Sequence, residues 1–176
     1  MTQQPAHTPG SGAAAPVADD EQRGIVRDIV KDARFAMLAT LDATGAIVSR
    51  PMTVQEVEFD GDLWFFADAS SAQVSQIRSG TPVNVAFTTS SSWLSVAGPA
   101  RVVEDRDKAR ELWNTVVEAW FPDGPDSPAV VLLKVEAATA EYWASPGGRI
   151  STLLSLVRAK VTGERDEGGT NETVAL

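Results

Sequence analysis

The sequence predicts a mainly β protein with flanking helices, an antiparallel barrel that is either closed or split. Three observations point there: six or more short apolar or alternating runs, tight turn signals between them, and only three or four helical stretches interspersed. A doubly wound parallel sheet would instead alternate strand and helix throughout. The chain has 176 residues, 43% apolar and 22% charged. That length fits one domain, placed at residues 19–162 between a leader at 1–18 and a polar tail at 163–176.

Residues 1–18 are rich in Pro, Gly, Ala, Ser and Thr without periodicity, which reads as a disordered leader. Within it, Gly10-Ser11-Gly12-Ala13-Ala14-Ala15 has the spacing of a dinucleotide fingerprint. No strand precedes it and no βαβ unit surrounds it, so the match is accidental. From Asp19 the period becomes helical, with Ile25, Ile29 and Val30 on one face and an end near Lys31-Asp32-Ala33. Arg34 to Leu41 reads as a strand, Asp42-Ala43-Thr44-Gly45 as a turn, and Ala46 to Glu58 as a strand or two.

After a turn at Asp60-Gly61, the unbroken apolar run Leu63-Trp64-Phe65-Phe66-Ala67 predicts a strand buried on both faces. Ser70-Ser71 begins a short helix to about Arg78, with Val74 and Ile77 inward, and Gly80-Thr81-Pro82 stops it. Val83 to Phe87 alternates as a strand. Ser90-Ser91-Ser92 turns into one long strand from Trp93 to about Glu104, with a bulge or an edge at Gly98-Pro99.

Ala109, Leu112, Trp113, Val116, Val117 and Trp120 recur at helical spacing and predict one amphipathic helix packing by a large aromatic stripe. The prolines from Phe121 to Pro128 mark a loop. Ala129 to Trp143 returns as one long strand, and Ser145-Pro146 opens a last helix through about Ala159.

Composition excludes several functions. The chain has no cysteine, so disulfides, thiolate ligands and thiol nucleophiles are out, and a reducing, cytoplasmic setting is the expectation. A net charge of −9 repels phosphate backbones and anionic lipid, so neither nucleic acid nor a membrane is an expected partner. The single histidine, His7, lies in the leader, which removes a Ser-His-Asp triad and a histidine-ligated metal. Redox chemistry, if present, must come from a bound cofactor.

Three stretches carry a family resemblance: Ser49-Arg50-Pro51-Met52, then Leu63-Trp64-Phe65-Phe66-Ala67-Asp68, then Leu112-Trp113-Asn114 followed by Ala119 to Pro125. With Glu141-Tyr142-Trp143 added, their order and spacing over residues 20–162 resemble the general stress protein 26 type of FMN-binding split β-barrel, in the pyridoxamine-phosphate-oxidase-like superfamily. The resemblance implies a homodimer with FMN at the subunit interface. The cofactor's phosphate would be held by basic and hydroxyl groups and its ring bordered by backbone and aromatic groups.

Carried onto this sequence, the implied cofactor contacts fall on Arg50, Pro51, Met52, Ala67, Asp68, Ser70, Ser71, Gln73, Trp93, Trp120 and Phe121. Arg50 beside Pro51 offers a bidentate fork to a phosphate, and the alternative is a solvated strand arginine. Ser70 and Ser71 can turn hydroxyls and free amides toward an anion, or simply cap the helix. Asp68 either lines the pocket or forms a turn. Gln73 stands where the family usually has a lysine. An amide donates but brings no charge, so the deazaflavin F420, or an empty site, competes with FMN.

Among the aromatics, Trp113 reads as core, whereas Trp120 and Phe121, entering the proline-rich loop, suit a partner subunit's pocket, with Trp93 between the two cases. Three functions follow: a flavin-dependent oxidoreductase, a non-catalytic flavin or F420 binder or sensor, and a split barrel without cofactor. No residue stands out as a general acid or base, and the substrate-phosphate set of pyridoxamine-phosphate oxidation is not visible.

Overall fold

Helix α1 (Asp20–Asp32) starts at a capping box, in which the Asp19 carboxylate accepts from Gln22 N and the Gln22 side chain accepts from Asp19 N. It buries Val26, Ile29 and Val30. The computed structural model describes residues 17–55, 59–144 and 170–176. Strands β1 (Phe35–Leu41) and β2 (Ile47–Thr53) form the expected hairpin. Its turn is tied by Asp42 Oδ1, which accepts from Thr44 N at 2.8 Å, the Thr44 hydroxyl at 2.6 Å and Ala46 N at 3.0 Å. Those bonds, led by the Thr44 hydroxyl, hold the Asp42 carboxyl below its ordinary pKa. Gly45, at φ 82°, closes the turn in the left-handed region.

Strand β3 (Asp62–Asp68) is covered on both faces, as its apolar run predicts. Leu63, Phe65 and Ala67 enter the main core, and Phe66 packs on the other side. Helix α2 (Ala72–Arg78) buries Val74 and Ile77. Strands β4 (Val83–Thr88) and β5 (Ser92–Gly98) follow as a hairpin.

The expected strand from Trp93 to Glu104 is two strands, β5 and β6 (Ala100–Val103), and the expected strand from Ala129 to Trp143 is likewise two, β7 (Val130–Glu136) and β8 (Thr139–Ala144). The two halves of each belong to different sheets. A six-stranded antiparallel sheet runs β2-β1-β4-β5-β8-β9, where β9 is Thr170–Ala175, and a three-stranded one runs β3-β7-β6. The corner is one bent ribbon. Ala97 lies opposite Thr139 but Ala100 lies opposite Val135, so one residue more is spent on the second strand between these pairs, as in a bulge.

Pro99 O accepts from Glu136 N at 3.0 Å and Ala97 O accepts from Ala138 N at 3.0 Å, so the corner's backbone groups stay paired. Gly98 is required by close approach: a Cβ there would land on the Glu136 carbonyl oxygen and 3.0 Å from Ala138 N. The barrel is therefore split, with its core, including Leu38, Val85, Val96, Phe65, Leu133 and Val135, between the two sheets.

The expected helix over 109–120 is also two, α3 (Arg106–Leu112) and α4 (Thr115–Trp120). Asn114 breaks it: its backbone is extended, and its side-chain oxygen caps α4 by accepting from Val116 N at 3.0 Å and Val117 N at 3.1 Å. The aromatic stripe divides accordingly. Trp113 meets Phe66 edge-on at 5.5 Å, whereas Trp120 is 70% exposed. The proline-rich loop is tied by Arg106, whose Nη1 donates to the carbonyls of Ser127 and Val130 at 2.9 Å and of Pro125 at 3.3 Å.

The polar tail expected at 163–176 ends in β9, which pairs with β8 and buries Val174. At its end Val17 bridges Ala175, and Ala18 N donates to Ala175 O at 2.8 Å, so these two residues of the expected leader are tied to the sheet. The last helix expected, at 145–159, lies outside the described residues. Among the described residues no helix is long and apolar enough to cross a membrane.

Candidate anion site

Alternation along β2 sends Arg50, paired across from buried Leu38, to the core side of an edge strand. There it reaches α2. Its Nη2 donates to Gln76 Oε1 at 3.0 Å and its Nη1 to the Thr40 hydroxyl at 2.8 Å, while that hydroxyl is 2.6 Å from Gln76 Oε1.

Every partner is a neutral oxygen. Arg78, Arg101 and Arg110 all pair with carboxylates, but among the described residues none pairs with Arg50. Burial draws its pKa below the ordinary arginine value, which leaves it fully charged near neutrality. A half-buried cation with no counter-charge among the described residues, and with N–H groups beyond those two bonds, is suited to take an anion.

The serines behave differently from the expectation. The Ser70 hydroxyl donates to Asp68 Oδ1 at 2.5 Å and Ser70 N to the same oxygen at 2.7 Å; the Ser71 hydroxyl donates to Asp68 O at 2.6 Å and Ser71 N to it at 3.0 Å. Their donors are therefore turned into the turn, not toward an anion. Ser71 makes no side-chain cap to α2 either. Asp68 takes the turn-forming role, its carboxyl held below its ordinary pKa chiefly by the Ser70 hydroxyl. Gln73 is half-buried on α2, one turn before Gln76.

The remaining candidates spread over three surroundings. Met52 and Ala67 are buried in the main core. Pro51 and Trp93 lie on the outward face of the six-stranded sheet, opposite in side to Arg50: Pro51 faces Met37 and Trp93 faces Thr88 and Trp143. Phe121 packs 6.4 Å from Phe66 under the helices of the other sheet, and Trp120 stands exposed at the end of α4. Among the described residues, then, the candidates form two separate polar groups, the Asp68-Ser70-Ser71 turn and the contacts of Arg50 with Thr40 and Gln76.

Thr40 and Gln76 complete that group, and the sequence reading passed over both. Thr40 had a faint signal: it is the polar member of the inward series Ala36, Leu38, Thr40. Gln76 had none until its helix was placed.

Two unclosed antiparallel sheets that share a bent ribbon define a split-barrel protein, with Arg50, which meets no carboxylate among the described residues, as its candidate anion contact. The chain belongs to the pyridoxamine 5'-phosphate oxidase-like family, whose profile matches residues 21–167. It is similar to protein bli-3 of Neurospora crassa, 32% identical over 143 residues covering 74% of this chain and 68% of that one. Among solved structures it resembles a general stress FMN/FAD binding protein from Xanthomonas citri, 29% identical with a TM-score of 0.64, covering 72% of this chain and 90% of that one. It also matches a general stress protein 26 from Jannaschia sp. CCS1, with a TM-score of 0.75 and 24% identity over 89% of this chain and 99% of that one, a likeness of fold.

Proposed function

We propose that this chain binds a flavin nucleotide, FMN, by its phosphate at Arg50, and works as a flavin-dependent oxidoreductase. The observation that carries the proposal is the half-buried Arg50 guanidinium, held among the described residues by neutral oxygens only. A phosphate supplies the missing counter-charge and accepts from its free N–H groups. The Xanthomonas citri relative, named for FMN/FAD binding, supports the choice of ligand.

When bound, the flavin supplies hydride and electron transfer. The chain's own part is to anchor the phosphate, to wall off water with its core strands and to orient the ring. Thr40 and Gln76, the side chains bonded to Arg50, are not ionisable, so a proton, where one is needed, would come from another group, solvent or substrate.

The test is the colour of the purified protein. The expected result is a flavin absorption band, with FMN as the copurifying mass, that bleaches under a nicotinamide reductant and recovers in air. A colourless protein that also fails to take up added FMN overturns the proposal. A band that resists reductants would leave binding and remove the oxidoreductase.

The working unit we propose is a homodimer formed by the outward face of the six-stranded sheet. That face carries Ile47, 76% exposed, Phe35, 60%, and Trp93, 51%, around a flat middle of Ala39, Ala86 and Ala97 and an Asn84–Ser95 hydrogen bond of 2.7 Å. Exposed apolar surface of this kind is what a second copy would cover. Sedimentation of the wild type should give twice the mass of one chain, and Met37→Asp, in the middle of the face, should give one. A monomeric wild type at micromolar concentration would refute the dimer.

A further inference from the structure

We infer that Thr40 and Gln76 are positioning residues of the phosphate site, a neutral bracket that holds Arg50 in place for a phosphate ester without cancelling its charge; the inference rests on the phosphate reading of Arg50. Hydrogen-bond direction in the group is forced. Arginine has no acceptor, so both Thr40 Oγ1 and Gln76 Oε1 must accept from Arg50. The one hydrogen on the Thr40 hydroxyl is then left for Gln76 Oε1 at 2.6 Å, in preference to Val48 O at 3.5 Å. The three side chains close a ring, and the Gln76 amide orientation is set by it.

Thr40 is 2% exposed, on a strand whose other inward residues are Ala36 and Leu38. A hydroxyl buried there is costly unless bonded, so its place is explained by the bond to Arg50 rather than by packing. Gln76 is the sharper choice. A glutamate of the same length would grip the guanidinium more strongly, but it would pair the charge and repel a phosphate. The amide holds the fork and leaves its charge to the ligand. Because the Arg50 side chain is ordered when the protein folds, its rotamer freedom is not lost again on binding.

The experiment is titration of FMN and of riboflavin, which lacks the phosphate, into apoprotein prepared from the wild type and from Thr40→Val, Thr40→Ser, Gln76→Leu, Gln76→Glu and Arg50→Ala. Thr40→Val and Gln76→Leu should weaken FMN by about tenfold, a typical loss for one orienting hydrogen bond, and leave riboflavin unchanged. Thr40→Ser should restore FMN affinity. Gln76→Glu should weaken FMN by about a hundredfold, more than leucine does, because it adds an opposing charge.

A merely structural role would lower FMN and riboflavin together and would favour Gln76→Glu over Gln76→Leu; either pattern overturns the bracket. Full FMN affinity in Thr40→Val and Gln76→Leu, with loss in Arg50→Ala, removes the bracket and keeps the phosphate site. Full affinity in Arg50→Ala removes both.

Discussion

Gly98→Ala should destabilise the protein by about 3 kcal/mol or more, lowering its melting temperature by roughly 10 °C. The single methyl group would meet backbone, not a side chain that can swing away: the Glu136 carbonyl oxygen lies in its place, and Ala138 N is 3.0 Å off. Both of those residues sit at the bend where β7 ends and β8 begins, so giving way means opening the Glu136 N to Pro99 O and Ala138 N to Ala97 O bonds. The cause is space and not backbone angle, because Gly98 is not in the left-handed region. Gly24→Ala is the matching control. Nothing lies within 4 Å of a Cβ there, and alanine in a helix interior is worth about 0.5–1 kcal/mol over glycine, so stability should rise. Thermal melts followed by circular dichroism read both; an unchanged melting temperature for Gly98→Ala would show that the corner adjusts.

Arg50→Ala should weaken FMN by on the order of a hundredfold, through loss of about 3 kcal/mol of charge-assisted hydrogen bonding, while riboflavin affinity holds. The fold should tolerate the change, since the 2.6 Å bond between Thr40 and Gln76 survives it and neither group is left unpaired. Salt offers an independent check. If the phosphate contributes its affinity through this charge, the wild type should lose FMN affinity with added salt and the alanine variant should lose less. Equal FMN affinities in the two proteins by fluorescence titration would move the phosphate elsewhere.

The strands were legible in order because alternation and turn chemistry are local. Asp42 to Gly45 carries a complete turn in four residues, and the apolar run at β3 announces burial on both faces. What the sequence hid depended on partners far away. Gly98-Pro99 marked a bulge or an edge at the right place, but that a strand changes sheets there, or between Ala129 and Trp143, shows only in the packing of Gly98 against residue 136. The helical period runs unbroken through Asn114, whose cap outweighs it. Strand β9 buries Val174 among polar neighbours, too little to register as a period.

At the candidate site, Arg50 was singled out through its motif. Its bracket was not, because Thr40 and Gln76 are 36 residues apart and meet only when α2 is laid against the sheet. Ser70 and Ser71 show the opposite case: two hydroxyls ahead of a helix read as facing an anion or capping the helix, and here both donate to Asp68, two and three residues earlier.

The split between the sheets also sets an order of assembly. Strands β1, β2, β4 and β5 join mostly to sequence neighbours, whereas Phe65 of β3 must wait for Leu133 of β7 to be made. During synthesis the run Leu63-Trp64-Phe65-Phe66-Ala67 is therefore an uncovered sticky edge, the kind of segment on which nascent chains aggregate. It is flanked by Asp62 and Asp68, charges of the kind that guard such runs against association, and in the folded chain Asp62 pairs with Lys134 of β7 at 2.6 Å.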